Sequence, residues 1–122
     1  MASLIQTYQS AVAFLPERFN PIVLDESERT RVILACFEPG QYIPIHHAGI
    51  DLTLVVLEGE GHFVAGDKET TLQPGFVGFV PAGEARGVKA NERLVVLHIV
   101  TPRPTEEDHA GVIAGFKRGS WR

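Results

Sequence analysis

Short apolar and β-branched runs, each bounded by turn-forming residues, occupy the chain from residue 31 to residue 100. At Pro39-Gly40 and at Pro74-Gly75, a proline with a fixed φ precedes a glycine, which adopts backbone conformations closed to other residues. Gly66-Asp67 suits a two-residue hairpin turn. Short strands joined by tight turns predict an all-β protein with antiparallel neighbours. The runs are Arg31–Phe37, Gln41–Ile45, Leu52–Leu57, His62–Ala65, Thr70–Leu72, Phe76–Val80 and Leu94–Val100.

Two of these runs, Leu52–Leu57 and Leu94–Val100, are apolar at nearly every position. A sheet with one solvated face alternates apolar and polar residues instead, so both faces of these strands are expected to be covered. The interior of a barrel or sandwich covers one face, and a second subunit or the chain's own tail covers the other. From this pattern we predict a homodimer.

Composition and charge narrow the classes of partner. The 122 residues fit one domain, and a net charge of −4 without a basic stripe argues against nucleic-acid binding. No apolar stretch approaches the ~20 residues that span a bilayer, and the first residues lack the pattern of a signal peptide. Cys36 is the single cysteine, which excludes an internal disulfide. We expect a cytoplasmic protein that does not associate with membranes.

Two spaced frameworks of glycine and proline lie inside the β region. Gly40 is followed after five residues by His46, and that stretch closes at Leu57-Glu58-Gly59-Glu60-Gly61. Further along, Gly75 is followed after five residues by Pro81 and then by Gly83. In this order and spacing they resemble the two motifs of the cupin family. The resemblance implies an all-β fold, namely a cupin-type double-stranded β-helix (jelly-roll) barrel with short N- and C-terminal extensions.

The segments before and after the predicted barrel carry local sequence signals for helices and strands. Residues 4–15 suit a short amphipathic helix or an arm that stops at Pro16, and Ile22–Leu24 reads as an extra strand. Thr105, followed by three acidic residues, suits the start of a short C-terminal helix. We predict one structural domain made of an N-terminal arm and strand, a cupin barrel and a C-terminal tail: residues 1–30, 31–102 and 103–122.

The resemblance also implies where a metal would bind. The family commonly presents three histidines and a glutamate to the barrel interior around Fe, Mn, Ni or Zn. His46 stands at the first position, but the others fall on Ala48, Leu52 and Arg86. Alanine and leucine do not ligate a metal, and a guanidinium repels one. The usual site therefore does not form with these residues.

Two alternatives would rebuild part of a metal site. His47 and Asp51 have the separation of the family's second histidine and glutamate, so a one-residue bulge in the strand would turn both inward. His98 interrupts an apolar strand, where it is either a satisfied core or interface histidine or faces a cavity. Two imidazoles with water would then hold a divalent ion. The candidate metal ligands are His46, His98, His47 and Asp51.

Arg86 has two interpretations. Inside a pocket, its planar guanidinium would bind a carboxylate or phosphate. At the rim, it would pair with Glu84 or Glu92 in water and contribute little. We take His46, His98 and Arg86 as the candidate catalytic residues. We expect the pocket to be lined by Tyr42, Leu52, Leu54, Val56, Phe63, Phe79 and Val96.

Two functions follow from these candidates. The first is a small-molecule-binding protein, or an isomerase-like or cyclase-like enzyme without a metal, that accepts a small anionic or aromatic ligand inside the barrel. The second is a metal-dependent enzyme of the dioxygenase type with an atypical ligand set. We favour the first because catalytic metal sites generally keep three protein ligands. A divalent metal (Zn, Ni, Fe or Mn) is the cofactor that the second function would require, and the first function includes both a binding protein and an enzyme.

Overall fold

The computed structural model describes residues 3–122, and it confirms the all-β prediction. Two antiparallel sheets face each other, and one α-helix follows the last strand. The five-stranded sheet has the order β1-β2-β9-β4-β7, and the four-stranded sheet has the order β3-β8-β5-β6. The strands are β1 Asn20–Glu26, β2 Arg31–Phe37, β3 Tyr42–His47, β4 Asp51–Glu58, β5 Gly61–Ala65, β6 Lys68–Leu72, β7 Val77–Val80, β8 Ala85–Ala90 and β9 Leu94–Thr101.

The core lies between the two sheets and follows the alternation of side chains along each strand. In β4, Leu52, Leu54 and Val56 are buried, and the residues between them are less so. Leu54 pairs with His98 of β9, and the inward-facing pairs next to it on either side are aliphatic. The inward rows of β4 and β9 therefore form one continuous wall of the barrel interior.

The chain's own N-terminal segment covers part of the outer face of the five-stranded sheet. This segment is an arm with one 3₁₀ turn, Tyr8–Ala11, and its side chains pack on a small cluster formed by Leu34, Cys36 and Val95. Cys36 is buried there, and desolvation raises the pKa of its thiol. A neutral buried thiol of this kind is unreactive.

The C-terminal helix, α1 (Glu106–Arg118), begins at Thr105. The Thr105 hydroxyl accepts from the backbone N–H of Asp108, and the Asp108 carboxylate accepts from the N–H of Thr105, which is a complete capping box. Gly119, at φ 77°, ends the helix in the left-handed conformation. Neither helix in residues 3–122 has the length and apolar character needed to cross a bilayer.

Two glycines let α1 approach strand β3 closely. A Cβ added to Gly115 would lie 2.1 Å from Cβ of Pro44, so only glycine fits there. One turn earlier, a Cβ on Gly111 would be 3.6 Å from Cβ of His46, which is ordinary contact. The helix therefore packs directly over the strand that carries His46.

Candidate functional site

A cavity of about 370 Å³ lies inside the barrel and is bounded on one side by α1. We call it the barrel cavity. Its volume is within the range of small-molecule sites in proteins. Its walls are mainly aliphatic and aromatic, and Arg86, His46 and His98 are polar groups among them. Representative apolar residues of the wall are Ile33, Ile43, Leu52, Phe63, Val88 and Phe116.

A β-bulge in β3 brings His46 into this wall. Between the pairs Ile43↔Val88 and His46↔Arg86, β3 advances by three residues while β8 advances by two. The extra residue lets both Ile43 and His46 line the cavity, which strict alternation would prevent. The N–H of Ile45 is released by the bulge and donates to the carbonyl of Trp121 at 2.9 Å. The bulge is thus supported by the C-terminal tail.

The tautomer of His46 follows from its hydrogen bond. Nδ1 lies 2.7 Å from the carbonyl oxygen of Pro44. A carbonyl only accepts, so Nδ1 carries the proton and Nε2 keeps its lone pair. Burial lowers the pKa of this imidazole, and the positive charge of Arg86 lowers it further. His46 is therefore a neutral histidine with an unprotonated Nε2, as a general base requires.

Arg86 is buried, with 4% of its surface exposed. Its Nη1 donates to the carbonyl of Ile50 at 2.8 Å, and Nη2 lies 3.1 Å from the carbonyl of Pro81. Longer contacts reach the carbonyls of Ala48 and Glu84. The rim pairing with the carboxylates of Glu84 or Glu92 does not occur, because the contact to Glu84 is to its backbone. The guanidinium instead ties together the β3–β4 and β7–β8 loops.

No carboxylate in residues 3–122 forms a salt bridge with Arg86. Asp51 accepts from the N–H of Ala82, and Asp108 accepts from that of Gly49. These carboxylates raise the pKa of Arg86, but the larger effect is desolvation, which lowers it. Arg86 is thus a buried cation in the cavity wall whose hydrogen-bond acceptors are neutral carbonyls.

His98 enters the cavity wall from the five-stranded sheet. It is 7% exposed, and its Nε2 has no hydrogen-bond partner within the described part of the chain. Desolvation lowers its pKa from 6.5 to about 4, so the ring is neutral at physiological pH. His98 therefore shares the barrel cavity with His46 and Arg86.

The residues present do not fit the metal that the fold family implies. His47 is exposed, and neither it nor Asp51 lines the cavity, because the bulge lies before His46 and turns that residue inward instead. The side chain of Asp51 is engaged by the N–H of Ala82. Within residues 3–122, no three His, Cys, Asp or Glu side chains are grouped so as to hold a metal ion. Of the four candidate metal ligands, His46 and His98 therefore line the cavity, whereas His47 and Asp51 do not join them.

The structure places the predicted pocket residues in different environments. Leu52 and Phe63 line the cavity. Leu54, Val56 and Val96 are buried in the packed core beside it, because they lie further along the inward rows. Tyr42 packs on Phe116 outside the cavity wall. Phe79 is 59% exposed on the outer face of β7, since it alternates with the buried Val80, so its predicted inward orientation is corrected.

Sequence reasoning did not find the wall that α1 and the residues before β1 provide. Val112 and Phe116 reach the cavity from the helix, and Arg18 and Phe19 reach it from the segment before β1. Val112 and Phe116 are four residues apart, which places them on one helix face. That spacing indicated a buried face of the helix, but it did not identify the part of the chain against which this face packs.

Comparisons with known proteins agree with this fold. The family model described as Cupin domain matches residues 33–100. The TT1209 protein of Thermus thermophilus is 33% identical, with 82% of this chain and 98% of that chain covered and a TM-score of 0.78.

Two further solved structures are similar. An RmlC-like cupin from Desulfovibrio desulfuricans is 34% identical over 84% of this chain and 97% of its own, with a TM-score of 0.71. KdgF from Halomonas sp., 16% identical over 78% and 90% of the respective chains, shares the fold at a TM-score of 0.69. No protein of curated function matches the chain.

Proposed function

The chain belongs to the cupin family, and within that fold we propose that it binds a small carboxylate in the barrel cavity through Arg86, without a resident metal. The observation that carries the proposal is the buried guanidinium, which forms no salt bridge with any carboxylate in residues 3–122. A buried cation is costly unless an anion compensates it. A carboxylate ligand would supply that charge.

The hydrogen bonds of Arg86 leave room for such a ligand. Nη1 carries two hydrogens, and the carbonyl of Ile50 is its acceptor in the described structure. One N–H of Nη1 is therefore available to a carboxylate. At the edge of the cavity Arg18 adds a second positive charge, and the carboxylate of Asp108 is held by backbone and side-chain donors. By volume, the cavity accepts a molecule of about a dozen non-hydrogen atoms.

The same cavity suits proton-transfer chemistry. His46 has an unprotonated Nε2 because its Nδ1–H is held by Pro44, so the ring is oriented to accept a proton. Arg86 would stabilise the charge that develops on a carboxylate or enolate. An isomerase or cyclase acting without a metal would use a general base and an anion-stabilising group in these roles. We propose His46 as the general base and Arg86 as the anion-stabilising residue.

Benzoate and its neutral analogue benzamide test the binding proposal by isothermal titration calorimetry. We expect benzoate to bind roughly tenfold or more tightly, since a hydrogen bond to a charged group contributes about 1.5–3 kcal/mol. In Arg86→Gln this preference should disappear, and in Arg86→Lys part of it should remain because the charge is kept. Far-UV circular dichroism confirms that each variant is folded. Equal affinities of the wild-type protein for both compounds would overturn the proposal.

We also propose that the protein is a homodimer in solution. The arm leaves uncovered an apolar strip on the outer face of the five-stranded sheet: Val77 and Phe79 are exposed at 67% and 59%, and Val55, Leu97 and Ile99 are half-buried. Such a strip on a sheet face is typical of a subunit interface. A second copy is the occupant we propose, because the centre of the strip lies on β4 and β9, which carry the two runs that are apolar at nearly every position.

Size-exclusion chromatography with light scattering tests the dimer. We expect twice the 13.4 kDa mass of the chain, and we expect Phe79→Glu to shift it towards the monomer. Ile5→Glu is the matched control, because Ile5 is 92% exposed and lies outside the strip. A monomeric mass for the wild-type protein would refute the dimer.

A further inference from the structure

His98 is a buried polar residue that receives no partner from the strands beside it. Its cross-strand neighbours are Ile33 on β2 and Leu54 on β4, and both are aliphatic. Nε2 is without a hydrogen bond in residues 3–122, and the residue as a whole is 7% exposed. An orphaned buried polar atom destabilises the folded state. Because this one belongs to a residue in the cavity wall, a bound molecule is the natural source of its missing partner.

Arg86 and His98 enter the barrel cavity from opposite sides. Arg86 lies on β8 of the four-stranded sheet, and His98 lies on β9 of the five-stranded sheet. Sheets packed face to face are about 10 Å apart, so side chains from both reach one small molecule between them. The same cavity wall includes the apolar side chains of Leu52, Phe63 and Val88. A ligand that satisfies both groups has polar ends and an apolar body.

We propose that the ligand is a hydroxylated carboxylic acid, with its carboxylate at Arg86 and a hydroxyl group on the far side of an apolar body at His98. The inference rests on the proposed binding of a carboxylate. A neutral imidazole has one donor and one acceptor nitrogen, and a hydroxyl both donates and accepts. A hydroxyl group therefore pairs with Nε2 whether the tautomer of His98 makes this nitrogen a donor or an acceptor. A second carboxylate at this end would lack a counter-ion, because His98 is neutral and its flanking residues are aliphatic.

Positional isomers of hydroxybenzoate test this assignment by calorimetry on the wild-type protein. The probes are benzoate, 4-hydroxybenzoate and 2-hydroxybenzoate, of which the last carries its hydroxyl beside the carboxylate. We expect 4-hydroxybenzoate to bind roughly tenfold more tightly than benzoate, as one buried hydrogen bond allows. We expect 2-hydroxybenzoate to show no such gain, because its hydroxyl lies at the wrong end of the ring.

Variants of His98 separate a ligand contact from a structural role. In His98→Leu we expect 4-hydroxybenzoate and benzoate to bind equally, while the melting temperature without ligand is unchanged or higher because an orphaned polar atom has been removed. His98→Gln keeps hydrogen-bonding capacity and should recover part of the preference.

The outcomes distinguish the two proposals. If the wild-type protein binds all three acids with equal affinity, the proposed role of His98 is overturned and the proposed carboxylate binding is left intact. If the preference for 4-hydroxybenzoate persists in His98→Leu, the proposed role of His98 is also overturned, since another group or an ordered water then contacts the hydroxyl. Failure of all three acids to bind removes the carboxylate site itself, and the inference falls with it.

Discussion

Replacing Gly59 by alanine is expected to lower the free energy of unfolding by about 4 kcal/mol. Gly59 has φ +87°, a conformation that costs an L residue about 1–2 kcal/mol. In addition, a Cβ at this position would lie 1.9 Å from the carbonyl oxygen of Arg93 and 2.9 Å from Cα of Leu94. Both contacts are with backbone atoms of the chain entering β9, so no side-chain rotation relieves them.

Gly75→Ala is the matched control for this prediction. Gly75 has φ +93° but no atom within 4 Å of an added Cβ, so it carries the conformational strain without the overlap. Its substitution should cost only about 1–2 kcal/mol. Urea denaturation followed by circular dichroism measures both variants. Equal losses in the two variants would show that the close approach of Gly59 to Arg93 contributes nothing to stability.

Acidification is expected to destabilise the fold by roughly 3 kcal/mol through His98 alone as the pH falls from 6.5 to about 4. Burial lowers the pKa of His98 from 6.5 to about 4. Between these values the unfolded chain binds a proton that the folded protein does not, so stability decreases as pH decreases. Above pH 6.5 the ring is neutral in both states, and below about 4 it is protonated in both, so the loss is confined to this window.

His98→Leu should remove most of this pH dependence, while His47→Gln should leave it unchanged because His47 is exposed. The remaining slope in His98→Leu is expected to come partly from His46, whose pKa burial also lowers. Urea denaturation at intervals between about pH 7.5 and 4 provides the comparison. Identical slopes in wild type and His98→Leu would contradict the burial of a neutral His98.

Much of the fold was predictable from local sequence. Pairs such as Pro39-Gly40 and Pro74-Gly75 mark turns because their backbone preferences are intrinsic to the residues. The run Leu94–Val100, apolar at nearly every position, was expected to be covered on both faces, because the cost of exposing apolar surface does not depend on the partner. Its inward residues are buried in the core, whereas Leu97 and Ile99 on the outer face are only half-buried. The sequence left open what covers the outer face. The arm around Tyr8–Ala11 provides part of that cover.

The candidate site was predictable in its residue types more than in its geometry. His46 and Arg86 were selected from their positions in the motifs that resemble those of cupins, and His98 was selected because it interrupts an apolar strand. All three line one cavity. The directions of side chains next to the bulge could not be read, because one inserted residue reverses the face of every residue after it. His47 was therefore considered as an inward ligand, although it is exposed.

Properties that depend on one residue and its chain neighbours, such as the strands and the turn glycine Gly59, were readable from the sequence. The resemblance to the cupin motifs added that Arg86 replaces one metal ligand. Properties that depend on contacts between distant segments were not readable from the sequence. The acceptors of Arg86 come from two loops up to 38 residues away, and the wall formed by α1 depends on the close fit of Gly115 to Pro44. Whether a buried cation has a counter-ion is set by which groups surround it in space. The charge that was visible in the sequence as Arg86 thus became a candidate anion site only when its neighbours proved to be carbonyls.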